Sequence, residues 1–467
     1  MRKIFDRSRL LEPGNHCRGL PREDVMTPLR YCALALLLAS TAVHAQVGST
    51  RWTIPSPAEV DAIFPDIDAL YMDLHQNPEL AFQETQTAAK LAARVKALGF
   101  EVTTGIGRTG IVAVLKNGAG PTVMLRTELD ALPVEEKTDL PFASHVVIRN
   151  GNGASTPVMH ACGHDLHMSA WAGTARLMAE HRDRWSGTLV MVGQPAEEGG
   201  GGAAAMLKDG LFTKFPRPDF ALSLHDDDTM PSGTIGYHPG FFRAMSDGVT
   251  ITVYGRGGHA AMPHNTVDPI VLAARIVVAL QTVVSRENNP VDPVVVTIGS
   301  IHGGTQGNII PDEVRLQLSV RTYTPDVRTR TLDAIRRIAK GEAIAAGAAR
   351  EPTVDAPAKA GTPVYNDPQL TLRLATALKR GLGDKNVIEM PQKMTSEDFA
   401  EYGVAGVPSA LLHIGAVSPA RMAAAKQTGI PVPAPHSPEW APDREPTLKA
   451  AIRAEAGALL ELFTPRP

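Results

Sequence analysis

The chain alternates short β-branched apolar runs with longer segments of helical hydrophobic spacing. The short apolar runs predict buried strands at 111–115, 122–126, 188–192 and 220–224. The amphipathic segments predict helices at about 57–75, 85–98 and 166–181. Strands that alternate with helices predict an α/β fold, with a mainly parallel sheet covered by helices on both faces. Ligand sites in such sheets form beyond the carboxyl ends of strands.

The pattern changes near Met245. The segments that follow predict, in order, a strand at 249–254, a helix at 267–284, strands at 294–298 and 314–323, a helix at 328–346 and a strand near 352–354. This β-α-β-β-α-β order is that of a small ferredoxin-like α+β domain. The alternating pattern then resumes, with helices at 368–380 and 444–462 and a strand at 409–414. We therefore predict a leader at 1–45, a large domain in two parts at 46–244 and 358–467, and an inserted domain at 245–357.

The N-terminal segment predicts a secretory signal. Met26 precedes Arg30, the run Tyr31–Val43 is apolar, and Val43-His44-Ala45 offers small residues for a signal peptidase. The apolar run is too short to span a bilayer, and we expect no other segment long and apolar enough to do so. A periplasmic or secreted protein is therefore expected; a retained anchor is the alternative, and Met26 is an alternative start to Met1.

Charge and cysteine content limit the functions to consider. The leader carries seven Lys/Arg and four Asp/Glu, so its removal changes the net charge from −3 to −6 over 467 − 45 = 422 residues. Nothing in this balance indicates nucleic-acid binding, which requires a basic face. Cys17 and Cys32 lie in the leader, so the mature chain retains only Cys162 and forms no internal disulfide. Metal ligation would explain a single thiol in a polar setting.

The stretch Met159–His167 concentrates ligand-type side chains. It holds three imidazoles, one thiol and one carboxylate, which are the groups that bind zinc and similar divalent metals. On an extended segment Cys162 and His164 would point the same way, and Gly163 would let the backbone approach an ion. The alternative is a loop at the start of a helix, with a buried thiol and solvated histidines.

Three further positions complete a candidate site. Glu197-Glu198 follows a predicted strand, and two adjacent buried carboxylates require a cation or a shared proton. One could bind metal while the other acts on water; the alternative is a solvated acidic turn. His225 ends a predicted strand and precedes three aspartates, and His436 lies in a proline-rich loop. Each histidine alone could be structural. Together, Cys162, His164, Glu198, His225 and His436 supply five ligands, which suits two ions that share a thiolate.

These motifs resemble the amidohydrolase branch of the aminoacylase and carboxypeptidase metallopeptidases, which includes hippurate hydrolases and hydrolases of indole-acetyl amino acids. The matching stretches occur in family order and cover nearly all of the mature chain. They are His75-Gln76-Asn77-Pro78-Glu79-Leu80, Arg126-Thr127-Glu128-Leu129-Asp130-Ala131-Leu132-Pro133, His160-Ala161-Cys162-Gly163-His164-Asp165, Gln194-Pro195-Ala196-Glu197-Glu198-Gly199, Gly257-Gly258-His259-Ala260-Ala261, Gly303-Gly304-Thr305, Asn308-Ile309-Ile310-Pro311, Ser396-Glu397-Asp398-Phe399 and His436-Ser437-Pro438.

The resemblance implies a di-metal hydrolase whose inserted domain is a lid that also forms a homodimer. It implies two divalent ions (zinc, manganese or nickel) held by Cys162, His164, Glu198, His225 and His436, with the thiolate as a bridge. It also implies that Glu197 is the general base and acid and that His259 polarises the scissile carbonyl of a substrate in the partner subunit's site. Asn308 would contact the substrate carboxylate. A tight β-turn and a loop amide are the simpler interpretations of His259 and Asn308.

The chain departs from the family in two places that affect the substrate pocket. Three aspartates, Asp226 to Asp228, follow His225 where the family often has a small or apolar residue, and Trp440 stands where phenylalanine is common. We predict an exported metal-dependent amidohydrolase that cleaves N-acyl amino acids. The alternatives are a dipeptidase or carboxypeptidase with the same site, and a metal- or solute-binding protein without turnover.

Overall fold

The structure is a computed structural model that describes residues 53–149, 155–199, 201–358 and 361–464. The predicted leader and signal peptide lie outside the described residues. The α-helices are α1 Pro57–Gln76, α2 Thr85–Ala97, α3 His164–Glu180, α4 Gly202–Lys208, α5 Leu211–Lys214, α6 Pro269–Thr282, α7 Pro325–Ala345, α8 Pro368–Leu382, α9 Ala400–Val404, α10 Pro419–Thr428 and α11 Arg444–Phe463.

The strands form one large sheet, one smaller sheet and three short pairs. Their bounds are β1 Glu101–Ile106, β2 Gly110–Asn117, β3 Thr122–Glu128, β4 Val147–Arg149, β5 Ser155–Pro157, β6 Gly187–Gln194, β7 Phe220–Pro231, β8 Ile235–Tyr237, β9 Gly240–Arg243, β10 Met245–Tyr254, β11 Gly258–His259, β12 Val295–Gly303, β13 Ile309–Ile310, β14 Glu313–Thr322, β15 Thr353–Asp355, β16 Val364–Asn366, β17 Val387–Glu389 and β18 Ser409–Val417.

The large sheet has the strand order β1-β2-β6-β3-β7-β18-β8-β17. Its central strands β6, β3, β7 and β18 run parallel, and antiparallel pairs lie toward both edges. Alternate residues of β2 point to opposite faces: Ile111 and Leu115 pack with α1, α2, α3, α8 and α11, whereas Val112 and Val114 pack with α4, α5 and α9. Both faces of the sheet are therefore buried, which explains the continuous apolar runs in the sequence. The predicted α/β class with a mainly parallel central sheet is confirmed.

The smaller sheet is antiparallel and has the order β12-β14-β10-β15. Its elements follow one another as β-α-β-β-α-β, with α6 and α7 as the helices. The sheet and these helices share a hydrophobic cluster of their own, which includes Ile251, Ile276, Leu316 and Ile335. This arrangement agrees with the predicted ferredoxin-like insertion; the exact domain boundaries stay predictions.

Helix α6 corrects one expectation. It continues as a π-helical segment, Val283–Glu287, and the helix Pro269–Glu287 is long and apolar enough to cross a membrane by length and composition. The expectation that no segment beyond the leader meets those two criteria was therefore wrong. In the structure Leu272, Ile276 and Leu280 of this helix pack against the smaller sheet.

Local signals fixed several element boundaries. Ser56 caps α1, because its hydroxyl accepts from the Glu59 amide while the Glu59 carboxylate accepts from the Ser56 amide. Helix α2 ends just before Gly99, as predicted. The predicted strand that closes on His225 instead continues through it to Pro231, because β18 pairs with β7 along this whole length. His225 therefore lies inside a strand.

Candidate metal centre and catalytic site

The segment with the highest density of ligand-type residues is a tight turn. Met159 to Gly163 turns into α3, which begins at His164, and Gly163 has the left-handed φ of 72°. The prediction of an extended segment was wrong: Cys162 and His164 converge because the chain reverses between them. A Cβ at residue 163 would lie 2.2 Å from Asp226 Oδ2, so glycine is required by the aspartate behind the turn.

The two buried histidines of the site present the same ring nitrogen to the centre. His164 Nδ1 lies 2.7 Å from the Asp130 carbonyl oxygen and His225 Nδ1 lies 2.8 Å from the Asp226 carbonyl oxygen. A carbonyl only accepts, so each Nδ1 carries the proton and each Nε2 holds a lone pair when the ring is neutral. This is the orientation that protein groups behind a metal site impose on histidine ligands.

The turn that carries the predicted general base, residues 196–198 (the predicted catalytic turn), follows β6. Ala196 has a left-handed φ of 49° although it carries a side chain, and it is fully buried. Such a conformation costs about 1–2 kcal/mol for a residue with a Cβ. The next two amides, of Glu197 and Glu198, donate to Asp130 Oδ1 and Oδ2 at 3.0 Å each. The two adjacent carboxylates are thus held at the end of a strand by a third, buried carboxylate.

His436 brings the C-terminal part of the chain to the site. Its φ is 70°, its amide donates to the Ala161 carbonyl at 2.6 Å, and its Nε2 lies 3.1 Å from Glu198 Oε1. The imidazole side chain is 56% exposed, unlike the other predicted ligands. The loop is therefore tied to the Cys162 turn through the backbone, while the ring faces an open space.

The structure brings all five predicted ligands together. Cys162 Sγ lies 3.6 Å from His225 Nε2, and His164 Nε2 lies 4.0 Å from Glu198 Oε1. Ligand atoms of Cys162, His164 and His225, and those of Cys162, Glu198 and His436, lie within 4.8 Å of one another. Cys162 belongs to both sets, as expected for a thiolate between two ions.

One orphaned atom tests whether these residues suit a metal. His164 Nε2 is buried and has no hydrogen-bond partner among the described residues, although it faces the carboxylate of Glu198. A buried polar atom without a partner is costly unless a further group satisfies it. Nitrogen, sulfur and carboxylate ligands in this number fit zinc or a similar divalent ion.

The electrostatics of the site also call for a cation. Burial raises the pKa of the Cys162 thiol well above its usual value, and the neighbouring Glu198 carboxylate acts in the same direction. Burial opposes ionisation of Glu198 too, but the hydrogen bond with His436 and the charge of His164 lower its pKa to about 2. A thiol in this setting becomes a thiolate ligand only with a positive ion beside it.

A second group of charged residues surrounds Glu197 and was not predicted. The buried guanidinium of Arg126 donates to the Glu128 carboxylate, to Glu397 Oε1 at 2.8 Å and to Asp398 Oδ1 at 3.0 Å. Oxygens of Glu197, Glu397 and Asp398 lie within 4.8 Å of one another. Burial, followed by the charges of Glu397 and Asp398, raises the pKa of Glu197 well above its usual value. The matched motifs contained these residues, but only the fold shows that they meet.

The three aspartates after His225 have different environments. Asp226 Oδ2 accepts from Trp440 Nε1 at 3.1 Å, and Asp227 Oδ2 lies 2.7 Å from His413 Nδ1. Asp228 is partly exposed and lines the cavity described next. The unusual run thus supplies two buried carboxylates with fixed partners and one partly exposed carboxylate, and all three residues line the cavity.

A cavity of about 1070 Å³ opens over the cluster. One wall carries Cys162, Glu197, Glu198, His225 and His436, and the facing wall is the helix-free face of the smaller sheet. That face contributes Ser246, Val295, Thr297, Ser319 and Arg321. His259 and Asn308 do not line this cavity; His259 is exposed on β11, and Asn308 is exposed just before β13. The structure therefore does not bring these two predicted residues to the metal cluster of their own chain.

The fold and this site define a metal-dependent hydrolase, and comparison with known proteins gives the family. Residues 124–429 match the model of peptidase family M20/M25/M40. An N-acetyl-L-cysteine deacetylase of Bacillus subtilis is 34% identical over 74% of this chain and 80% of its own length. A hippurate hydrolase of Campylobacter jejuni is 38% identical over 72% of this chain and 84% of its own length. The crystal structure of the Bacillus subtilis YXEP protein, a dinuclear metal binding peptidase from the M20 family, is 29% identical, with a TM-score of 0.69 over 86% of this chain and 99% of that one.

The chain belongs to peptidase family M20/M25/M40, within the aminoacylase and amidohydrolase branch. It is a hydrolase of amide bonds. The family resemblance inferred from the motifs is confirmed, whereas the roles of individual residues stay predictions.

Proposed function

We propose that this protein is an exported hydrolase that cleaves the amide bond of N-acyl amino acids with the help of two divalent ions. The observation that supports this most directly is the convergence of Cys162, His164, Glu198, His225 and His436 beside Glu197 at one cavity. Zinc, manganese and nickel all suit this ligand set, since availability and geometry decide among them. The names of the deacetylase and hippurate hydrolase relatives agree with an N-acyl amino acid as substrate.

The five ligand residues would hold the ions, which supply Lewis acidity that lowers the pKa of water and polarises a carbonyl. The Glu197 carboxylate accepts a proton from the attacking water and donates it to the nitrogen of the leaving amino acid. Arg126 holds Glu397 and Asp398 beside it. The smaller sheet, which faces the site, limits access of bulk water.

One cation of the cavity wall, Arg321, favours a substrate that carries a carboxylate, because Lys393 already pairs with Asp227 and Arg243 Nη1 lies 3.9 Å from Glu397 Oε2. Arg243, Arg321 and Lys393 line the cavity. The Arg321 guanidinium donates to Ser319 Oγ and Ser396 Oγ at 3.1 Å each, and both of these partners are neutral hydroxyls. An amino acid carboxylate is a suitable additional partner for a guanidinium in this position.

The decisive test is Glu197→Gln with metal content measured. We expect unchanged metal binding and a fall in the rate of hydrolysis of about 10²–10⁴-fold, the usual contribution of a general base. Glu389→Gln, at an exposed position on β17, is the control and should retain full activity. If Glu197→Gln retains activity, the proposed mechanism is wrong.

Substrate class separates the enzymatic alternatives. We expect release of benzoate from hippurate and no amino acid from simple dipeptides; the reverse result would identify a dipeptidase or carboxypeptidase. Metal binding with no hydrolysis of either panel would support the third alternative, a binding protein without turnover.

We also propose a homodimer formed through the smaller sheet and α6. Strand β12 is an edge strand of that sheet, and α6 exposes Val271 at 58% and Val278 at 71%. An exposed edge and an apolar helix face are surfaces that proteins normally cover. In such a dimer His259 and Asn308 are available to the partner's cavity, which would explain why they do not line their own.

Mixing of inactive variants tests this arrangement. Glu197→Gln and His259→Ala subunits, refolded together, should regain about a quarter of wild-type activity, because half of the dimers are mixed and each has one intact site. No recovery would show that His259 does not act across subunits. Export is tested separately by cell fractionation and N-terminal sequencing, where a mature N-terminus after Ala45 is expected.

A further inference from the structure

A second buried carboxylate, besides Asp130, accepts a hydrogen bond from the backbone of the predicted catalytic turn. Three consecutive backbone amides, those of Ala196, Glu197 and Glu198, donate to two buried carboxylates from distant parts of the chain. Asp130 receives the second and third, and Glu84 Oε1 receives the first, from Ala196 N at 2.8 Å. Glu84 lies in the loop between α1 and α2, and its side chain is fully buried.

Ala196 is the residue of this turn that most needs support. Its φ of 49° places it in the left-handed region that side chains disfavour, and its methyl group is fully enclosed. The residue after it is Glu197, so the direction in which the Glu197 side chain leaves the backbone depends on the conformation of Ala196. A hydrogen bond to the Ala196 amide is the direct means of fixing that conformation.

Glu84 is itself rigidly placed. The same oxygen, Oε1, also accepts from Phe82 N at 2.8 Å, and Oε2 accepts from Thr109 Oγ1 at 2.5 Å. These partners lie in its own loop and in the turn between β1 and β2. The carboxylate therefore connects three segments, and its hydrogen-bond partners among the described residues include none of the predicted metal ligands.

We propose that Glu84 is a positioning residue: its carboxylate holds Ala196 in the left-handed conformation and thereby aims Glu197 at the reacting water. This inference rests on the proposed role of Glu197. Its distinctive consequence is that loss of Glu84 lowers kcat without loss of metal and with little change in KM.

Glu84→Ala tests the proposal directly. We expect kcat to fall about 10²-fold, the effect of displacing a catalytic group by about 1 Å, with KM within about twofold of wild type and metal content unchanged. The matched control is Glu79→Ala in the same loop. The Glu79 carboxylate also accepts backbone amides, from Gln86 and Thr87, but these belong to the start of α2 and not to the predicted catalytic turn. The Glu79→Ala variant should have a lower melting temperature than the wild type and an unchanged kcat.

Two rescues distinguish positioning from general stability. Glu84→Gln keeps an oxygen for Ala196 N and places its amide beside the Thr109 hydroxyl, so kcat should remain within about tenfold of wild type. In the Glu84→Ala background, Ala196→Gly should restore much of the lost kcat, because glycine adopts the left-handed conformation without a Cβ penalty. If Glu84→Ala does not fold, Glu84→Asp, which withdraws the acceptor by one methylene, replaces it in the same comparison.

The outcomes separate this inference from the proposed function. If Glu197→Gln abolishes hydrolysis but folded, metal-loaded Glu84→Ala keeps its kcat, the positioning role is wrong and the proposed function stands. An equal loss of kcat in Glu79→Ala, or no recovery with Ala196→Gly, would also overturn it. If Glu197→Gln is active, the proposed function fails whatever Glu84→Ala does.

Discussion

Glu455 is a buried acid whose ionisation should limit the stability of the protein at neutral and alkaline pH. It lies on α11, is 5% exposed, and its Oε2 accepts from Thr174 Oγ1 of α3 at 2.7 Å. Burial raises its pKa from 4.5 to about 8. Glu455→Gln keeps the shape and the acceptor for Thr174 but cannot ionise, so it isolates the effect of the charge.

The sign and size follow from the linkage between proton binding and folding. Between pH 4.5 and 8 the folded state keeps the Glu455 proton and the unfolded state does not, so the free energy of unfolding falls as pH rises. At about 1.4 kcal/mol for each pH unit, the interval from 4.5 to about 8 gives an upper estimate of roughly 5 kcal/mol. The loss is complete near pH 8 and absent below pH 4.5.

Urea unfolding of the two proteins at pH 5, 6, 7 and 8, both saturated with the same metal, measures this difference. We expect similar stability at pH 5 and a growing advantage of Glu455→Gln, reaching several kcal/mol at pH 8. A difference that is constant with pH would refute the reasoning, as would an advantage of the wild type that grows with pH.

Three further predictions concern the metal centre. Gly163→Ala should lower both metal content and melting temperature, because its Cβ would meet Asp226 Oδ2 at 2.2 Å; full metal binding in a folded variant would contradict this. Trp440→Phe removes the N–H that donates to Asp226 and should lower the free energy of unfolding by at least about 1–3 kcal/mol, measured by urea titration, and an unchanged midpoint would argue against it. Removal of metal with a chelator should abolish hydrolysis. It should also lower the free energy of unfolding by about 4 kcal/mol, compared with protein in the presence of the ion at 1,000 times its dissociation constant. Re-addition of zinc or manganese should reverse both effects.

The sequence was sufficient to predict the α/β class and the five residues that the structure brings together in one cluster; that they bind metal stays a prediction. The apolar runs of β2, β3, β6 and β7 are continuous because both faces of their sheet are buried. This pattern can be recognised in the amino-acid sequence without a structure. Cys162 and His164 stand in a segment dense in ligand-type side chains, whereas His225 and His436, considered alone, could each be structural. Local geometry is not predicted: the sequence favours an extended segment at Gly163, whereas the structure has a turn, because spacing by two residues does not reveal a reversal of the chain.

The supporting residues could not be predicted as such, because their function depends on pairing in space. Glu84 and Ala196 are separated in the chain by four strands of the large sheet, β1, β2, β3 and β6, and no periodicity links them. Arg126 and Glu397 lie on opposite sides of the inserted domain in the chain and meet only after folding. Most of the geometry that fixes Glu197 is of this kind.

The position of β18 determines when the site can form during synthesis. This strand, the fully buried Ser409–Val417, lies between β7 and β8 although it is made after the whole inserted domain. Until the ribosome has passed it, β7 presents an unpaired edge and β8 lacks the neighbour that joins it to the sheet. A nascent chain that carries Cys162, His164 and His225 but lacks β18 therefore exposes unpaired backbone N–H and C=O groups at the edge of β7, and it has an incomplete set of predicted ligands. The last strand of the large sheet to be synthesised thus occupies a position in its middle, so an incomplete chain carries an unpaired edge that favours aggregation.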